Sequence, residues 1–303
     1  MSNELENIFE KVIYKNKDSL IVRFENRKVK VQDLLNRNPR PSHLEGLSED
    51  AAFLRVTSYS DLSNIMDIGY YNGIKSNIPI EYNNALYTFA RLNTERMKLL
   101  GSGTDHSILF PYVLDHLACG EIDGAKDLFN MNLGKSKKGS RFLVCATNLL
   151  QAILHDSDEI IKPSLKDADV FLKKKNPKFE NHTVEFLKSL INNNEEGINE
   201  SLFQIVKGYR NNKWLHDFKD PILKLVGNYP IGLYKLSKHC LKEKGINIKL
   251  PEHPVIWKEF AELNQKAEPY IHFEGSLSGL NEYLKNTDNM VSNPMPLSSQ
   301  SRA

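Results

Sequence analysis

The spacing of apolar residues between Ser48 and Lys266 constrains the fold of this 303-residue chain more than any other feature. Apolar side chains recur three or four positions apart through this region, which is typical of amphipathic α-helices. The connectors between the apolar segments are two to six residues long and rich in Asn, Gly and Pro. Connectors this short join antiparallel helical neighbours. The sequence therefore predicts a mainly α fold, an irregular multi-helix array of about ten helices.

Residues that begin and end helices mark several of the predicted boundaries. Ser48 is an expected N-cap, Pro79 suits the first turn of a helix, and Gly120 suits a helix end. No fixed repeat aligns along the chain, so an irregular array is favoured over a regular solenoid. Later helices are predicted at about 158–175, 178–192, 195–210, 214–227, 232–244 and 254–266.

The pattern divides the chain into three parts. Residues 1–45 are predicted to be an N-terminal appendage that begins with a short helix, because Leu5, Ile8 and Val12 recur at helical spacing. Residues 46–285 are predicted to form one helical domain. The tail, 286–303, contains prolines and serines with few large side chains, and is predicted to be disordered.

Within the appendage, residues 20–31 leave two interpretations open. The run Lys28-Val29-Lys30-Val31 alternates apolar with charged side chains, which is typical of a half-buried strand, and Glu25-Asn26-Arg27 would form the turn. This pattern favours a small β-hairpin. One helix that continues through Leu34-Leu35 is the alternative.

Composition and charge exclude several classes of protein. Hydrophobic residues are 40% of the chain and charged residues 26%, which excludes a wholly disordered or low-complexity protein. No apolar run reaches the roughly 18 residues of a membrane span, and the polar start Met1–Glu6 does not resemble a secretory signal. The 40 basic and 38 acidic residues are too evenly balanced to indicate nucleic acid or membrane as a partner. We therefore expect a cytoplasmic, globular protein.

No local motif indicates catalysis, a metal or a cofactor. Gly134-Lys135-Ser136 imitates the end of a phosphate-binding loop, but Phe129 stands where that loop needs its first glycine. The nine histidines include no HExxH pair, and no GxSxG elbow is present. The three cysteines form no CxxC pair and are expected to be small buried apolar residues: Cys119, Cys145 and Cys240. The chain is predicted to be no enzyme and to need no cofactor, with an enzyme that lacks local motifs as an alternative.

Positive charge is concentrated in one stretch, from Lys135 to Lys178. It contains ten Lys or Arg residues against five Asp or Glu residues. Lys173, Lys174 and Lys175 end a predicted helix, where cations complement the helix dipole and are solvated. The alternative is a basic surface that binds an acidic partner, and these three lysines are the predicted partner-binding residues.

One section of the chain resembles a known family. Gly232-Leu233-Tyr234-Lys235-Leu236-Ser237 is followed by Glu243-Lys244-Gly245-Ile246, then by Leu250-Pro251 and Val255-Ile256-Trp257. These segments resemble the C-terminal pattern of the Imm49 family of bacterial immunity proteins. Residues 192–202, the stretch Lys207–Trp214 and the helix end at 117–121 fit the same pattern, and the likeness covers about residues 80–260.

The resemblance implies an all-α protein that is made beside a secreted antibacterial toxin. Such a protein binds its cognate toxin in the cytoplasm of the producing cell and blocks it by steric occlusion. A helical-repeat scaffold or adaptor that binds cellular protein partners is the alternative function.

Overall fold

The computed structural model describes residues 6–7, 10–11, 17–100, 105–129, 133–211, 222, 225–269, 278 and 281. These residues contain twelve α-helices with defined bounds and no strand, which confirms the prediction of a mainly α fold. The chain forms two compact units, Met1–Gly101 with Ala267–Ala303, and Ser102–Lys266. The boundary predicted near residue 45 lies inside the first unit. The first predicted helix falls mostly outside the described residues, and the predicted disordered tail falls wholly outside them.

The first unit contains four described helices: α1 (Lys17–Leu35), α2 (Glu49–Val56), α3 (Tyr59–Ser76) and α4 (Pro79–Leu100). Ser48 caps α2 by accepting a hydrogen bond from the backbone N–H of Ala51, as predicted. Helices α3 and α4 approach closely at Gly73, where an added Cβ would lie 2.5 Å from the backbone nitrogen of Tyr82. A glycine is therefore needed at that position for the two helices to pack.

The predicted β-hairpin over residues 20–31 is wrong, because one helix, α1, covers this region. Phe24 and Val31 are fully buried, whereas Val29 is 57% exposed. A strand would place Val29 and Val31 on the same face, but a helix places Phe24 and Val31 on one face, seven residues apart. The ring of Phe24 packs 5.7 Å from that of Phe53 in α2, and this contact selects the helix.

The second unit contains eight described helices: α5 (Phe110–Cys119), α6 (Ile122–Leu128), α7 (Arg141–His155), α8 (Asp158–Leu172), α9 (Lys178–Ile191), α10 (Glu195–Gly208), α11 (Asn228–Leu241) and α12 (Lys258–Ala261). Helix α7 packs against α8 and α9, α9 packs against α10, and α5 packs against α11. Gly120 ends α5 with a φ of 86°, as its position predicted. The predicted helix over 254–266 is reduced to α12, and most of the one predicted over 214–227 lies outside the described residues.

Aromatic side chains at the ends of four helices form the core of one end of this unit. Phe110 of α5 lies 5.9 Å from Phe142 of α7 and 6.1 Å from Tyr229 of α11, measured between ring centroids. Phe179 of α9 lies 5.5 Å from Tyr229. Tilted and edge-to-face ring contacts of this kind stabilise a fixed geometry. The first turns of α5, α7, α9 and α11 are therefore held together by one aromatic cluster.

A half-buried lysine lies where α5 and α11 pack. The Nζ of Lys235 donates a hydrogen bond to the backbone carbonyl of Ala118 at 2.8 Å and lies 4.5 Å from the ring centroid of Phe260. Burial lowers the pKa of Lys235 to about 8. The ammonium thus supplies a hydrogen-bond donor to a backbone carbonyl near the end of α5. Its burial there removes water from the charged group, which is unfavourable.

We expect Lys235→Met to change the pH dependence of stability. Between about pH 8 and 10.5 the unfolded lysine binds a proton that the folded one does not, so the wild type gains stability relative to the variant as pH rises. The gain should be on the order of 2 kcal/mol. Urea unfolding of both proteins from pH 7 to pH 10.5 measures it. Parallel stability curves for the two proteins would contradict this account of Lys235.

Candidate functional site

Seven cationic side chains lie together at one end of the second unit, which we call the basic end. They are Lys137, Lys138, Arg141, Lys173, Lys174, Lys175 and Lys178. Helix α7 begins at Arg141 and α9 begins at Lys178, while α8 ends at Leu172. Because α8 returns antiparallel to α7 after a short connector, its end lies beside the start of α7. The predicted partner-binding lysines, Lys173 to Lys175, therefore form one surface with cations from the loop before α7.

The amide of Asn176 organises the turn between α8 and α9. Arg141 donates a hydrogen bond from its guanidinium to the Asn176 side-chain oxygen at 2.6 Å. The Asn176 Nδ2 donates to the backbone carbonyls of Phe171 at 2.8 Å and Lys174 at 3.0 Å. These bonds connect the turn to the start of α7 and hold the backbone of the three lysines in place.

All seven side chains of the basic end are exposed, and none forms an ion pair with another described residue. Two nearby lysines are instead paired with carboxylates of α8. Lys135 pairs with Asp167 at 2.8 Å, and Lys188 pairs with Asp169 at 2.5 Å. The first turns of α7 and α9 add the partial positive charge of two helix N-termini. The basic end is therefore a concentrated positive surface, with Glu180 as a carboxylate near Arg141 and Asp169 as one near Lys173.

Asp105 fixes the loop that carries Lys137 and Lys138. Its carboxylate accepts hydrogen bonds from the backbone N–H of Lys137 at 2.9 Å and of Lys138 at 3.0 Å, and a short one from the Ser136 hydroxyl. Burial alone would raise the pKa of Asp105, but the bonds from Ser136 and from the backbone of Lys137, Ser107 and Lys138 hold it well below its usual range. The carboxylate therefore stays ionised and keeps the loop in place.

Asn148 of α7 holds the same loop from the other side. Its Oδ1 accepts from the backbone N–H of Ser136 at 2.8 Å, and its Nδ2 donates to the carbonyl of Ser136 at 3.1 Å. This loop contains Gly134-Lys135-Ser136, the residues that imitate the end of a phosphate-binding loop. The N–H groups that would face a phosphate instead donate to Asp105 and Asn148 of the protein itself.

The other residues considered from the sequence lie apart from the basic end or are buried. Cys119 and Cys145 are buried as predicted, and Cys240 is half-buried. Within the described ranges, no group of three or more His, Cys, Asp or Glu residues could hold a metal ion. None of the helices described is long and apolar enough to cross a membrane.

The sequence indicates the basic stretch but not the residues that hold its loops in place. Asp105 lies outside the stretch, and nothing in its sequence context distinguishes it from an ordinary helix cap. The amide side chains of Asn148 and Asn176 were missed for the same reason. Each acts through contacts with residues distant in sequence, such as the 35-residue separation between Arg141 and Asn176.

Comparisons with family models, with curated proteins and with solved structures find no significant match to this chain. The resemblance to the Imm49 family therefore stays a prediction from the sequence.

Proposed function

We propose that this protein binds and neutralises a protein toxin, and that the basic end contacts an acidic face of that toxin. One observation supports the proposal most strongly: seven exposed cations, none in an ion pair with another described residue, lie at one end of the second unit. Exposed cations that are not held in ion pairs are available to an acidic partner. The resemblance to the Imm49 family supplies the class of that partner.

The geometry favours a protein partner over a small anion. The cations are spread over two loops and two helix starts, so they do not converge on a single point as they would around one phosphate. Such a spread of like charge raises the rate of encounter with an oppositely charged surface and fixes the orientation of docking. The aromatic cluster below keeps the surface preformed, and a preformed surface loses little conformational entropy on binding. Steric occlusion then requires only that the interface cover the toxin's active site.

The proposal predicts that charge reversal at three lysines weakens protection. We expect Lys173→Glu, Lys174→Glu and Lys175→Glu together to weaken toxin binding by about tenfold to a hundredfold, because each like-charge contact opposes docking. The partner is the product of the gene adjacent to this one, co-expressed with wild type or variant. Survival of the host and co-purification are the two readouts.

A matched control separates local charge from net charge. Lys162, Lys207 and Lys242 are exposed lysines of the same unit outside the basic end. Reversal of three lysines changes the charge by −6, so both triple variants move the chain from +2 to −4. We expect the control triple to protect as wild type does. Equal protection by both variants would contradict a role for the basic end. If the wild type neither binds nor protects against the adjacent gene product, the immunity function itself is wrong, which favours the scaffold alternative.

A further inference from the structure

The second unit contains a cavity at the opposite end from the basic end, among the last turns of α7, α9 and α11. Its volume is about 380 Å³, within the range typical of small-molecule sites. Five helices each contribute an aliphatic side chain to the walls: Ile122, Ile153, Ile161, Leu190 and Leu236.

The polar residues that line this helix-end cavity, which we call its mouth, carry more positive than negative charge. Lys126 and Lys244 line it, together with Asp156 as the carboxylate among the lining residues. Lys244 donates a hydrogen bond to Asn193 at 2.8 Å. Lys126 is half-buried, and no ion pair joins it to another residue in the described part of the chain. Its ammonium can therefore form a charge-assisted contact with an anionic ligand in the cavity.

We propose that the helix-end cavity binds an aliphatic carboxylate of medium chain length, with the chain between the aliphatic walls and the carboxylate at Lys126. This site is independent of the proposed toxin surface, since the basic end lies at the other ends of α7 and α9.

The lining distinguishes this class from other small ligands. Among the described residues no Phe, Tyr or Trp lines the cavity and His239 supplies its one ring, so a nucleobase would find a stacking partner on one face at most. The surrounding ends of α7, α9 and α11 present carbonyl groups and partial negative charge. These carbonyl ends oppose a doubly charged phosphate more than a singly charged carboxylate, whose one charge the ammonium of Lys126 can balance. A singly charged carboxylate with a saturated chain matches both the walls and the mouth.

Cys240 reports occupancy of the cavity directly. It lines the cavity and is half-buried, whereas Cys119 and Cys145 are buried, so it is the accessible thiol of the three. We expect octanoate, below its micelle concentration, to slow the modification of Cys240 by a disulfide reagent. Calorimetry with hexanoate, octanoate and decanoate gives the affinity. Each added CH₂ that contacts the walls should tighten binding by about fourfold until the cavity is full.

Substitution of Lys126 tests the placement of the carboxylate. We expect Lys126→Gln to weaken octanoate binding by about tenfold, as the loss of one charge-assisted contact implies, and to leave binding of the uncharged 1-octanol unchanged. Lys162→Gln, an exposed lysine of α8 outside the cavity, is the matched control and should bind octanoate as wild type does. Circular dichroism establishes that each variant is folded.

Any one of four results would overturn the proposal. The first is that octanoate at millimolar concentration does not protect Cys240 from modification. The second is an affinity that does not depend on chain length. The third is equal weakening of octanoate binding in the Lys126→Gln and Lys162→Gln variants. The fourth is tighter binding of octylammonium than of octanoate, which would mean that Asp156 at the mouth binds a cationic ligand. Toxin protection by the Lys126→Gln variant should equal that of wild type, so this proposal and the proposed function fail separately.

Discussion

Asp105→Ala is expected to destabilise the second unit by about 3 kcal/mol. The substitution removes an ionised acceptor and leaves several donors without a partner, among them the backbone N–H groups of Lys137 and Lys138. Hydrogen bonds to a charged acceptor are stronger than neutral ones, and partial access of water to the loop limits the loss. Urea unfolding at pH 7 measures the difference from wild type.

The exposed Asp127 provides the matched control for this prediction. It lies in the last turn of α6 and no hydrogen bond or ion pair is found for it among the described residues, so Asp127→Ala should change stability by less than about 0.5 kcal/mol. The pH dependence supplies a second check. Because the folded pKa of Asp105 lies below the usual value, its contribution is present above about pH 4 and is lost as the pH falls further. A difference between wild type and Asp105→Ala that persists unchanged at pH 2 would contradict the electrostatic account.

Gly232→Ala is expected to cost about 2 kcal/mol, the second largest effect of a single substitution. An added Cβ would lie 2.7 Å from the backbone oxygen of Leu114 and 3.2 Å from the backbone nitrogen of Ala118, so α5 and α11 would have to separate. Overpacking of this kind costs about 3 kcal/mol, and the better helix propensity of alanine returns about 1 kcal/mol. Denaturant unfolding of the full chain measures the net change.

Gly208→Ala is the control for the packing argument. Its added Cβ would approach only the ring edge of Phe179, at 3.2 Å, which a shift of a few tenths of an ångström relieves. The variant should therefore be close to wild type in stability. A Gly232→Ala protein as stable as the Gly208→Ala protein would show that the contact between α5 and α11 is not tight at this position.

The helical character of the chain could be predicted from sequence because apolar spacing and capping residues are local signals. The α1 region shows that such local signals can be insufficient to predict secondary structure. Four alternating residues, Lys28 to Val31, fit a strand as well as a helix, and only the burial of Phe24 against α2 decides between them. Tertiary contacts of this kind override a short local pattern.

The candidate site could be predicted only in part. The sequence identifies a basic stretch, but the 15 residues of α8 span about 22 Å, so the cations of this stretch cannot all lie at one end of the unit. Antiparallel packing returns Lys173 to the neighbourhood of Arg141 and leaves Lys135 beside Asp167. The helix-end cavity could not be predicted at all, since its lining comes from five helices and the turns that follow them.

The association rate between this protein and the adjacent gene product, measured by stopped flow at low and high salt, tests the central claim most directly. We expect the wild type to associate at least tenfold faster at 20 mM than at 500 mM salt, because screening shortens the reach of the basic end to about 4 Å at the higher concentration. The variant with glutamate at 173, 174 and 175 should associate slowly at both concentrations, while the triple control at 162, 207 and 242 should retain most of the salt dependence. Equal rates and equal salt dependence for all three proteins, with each one folded, would contradict the claim that the basic end binds an acidic partner.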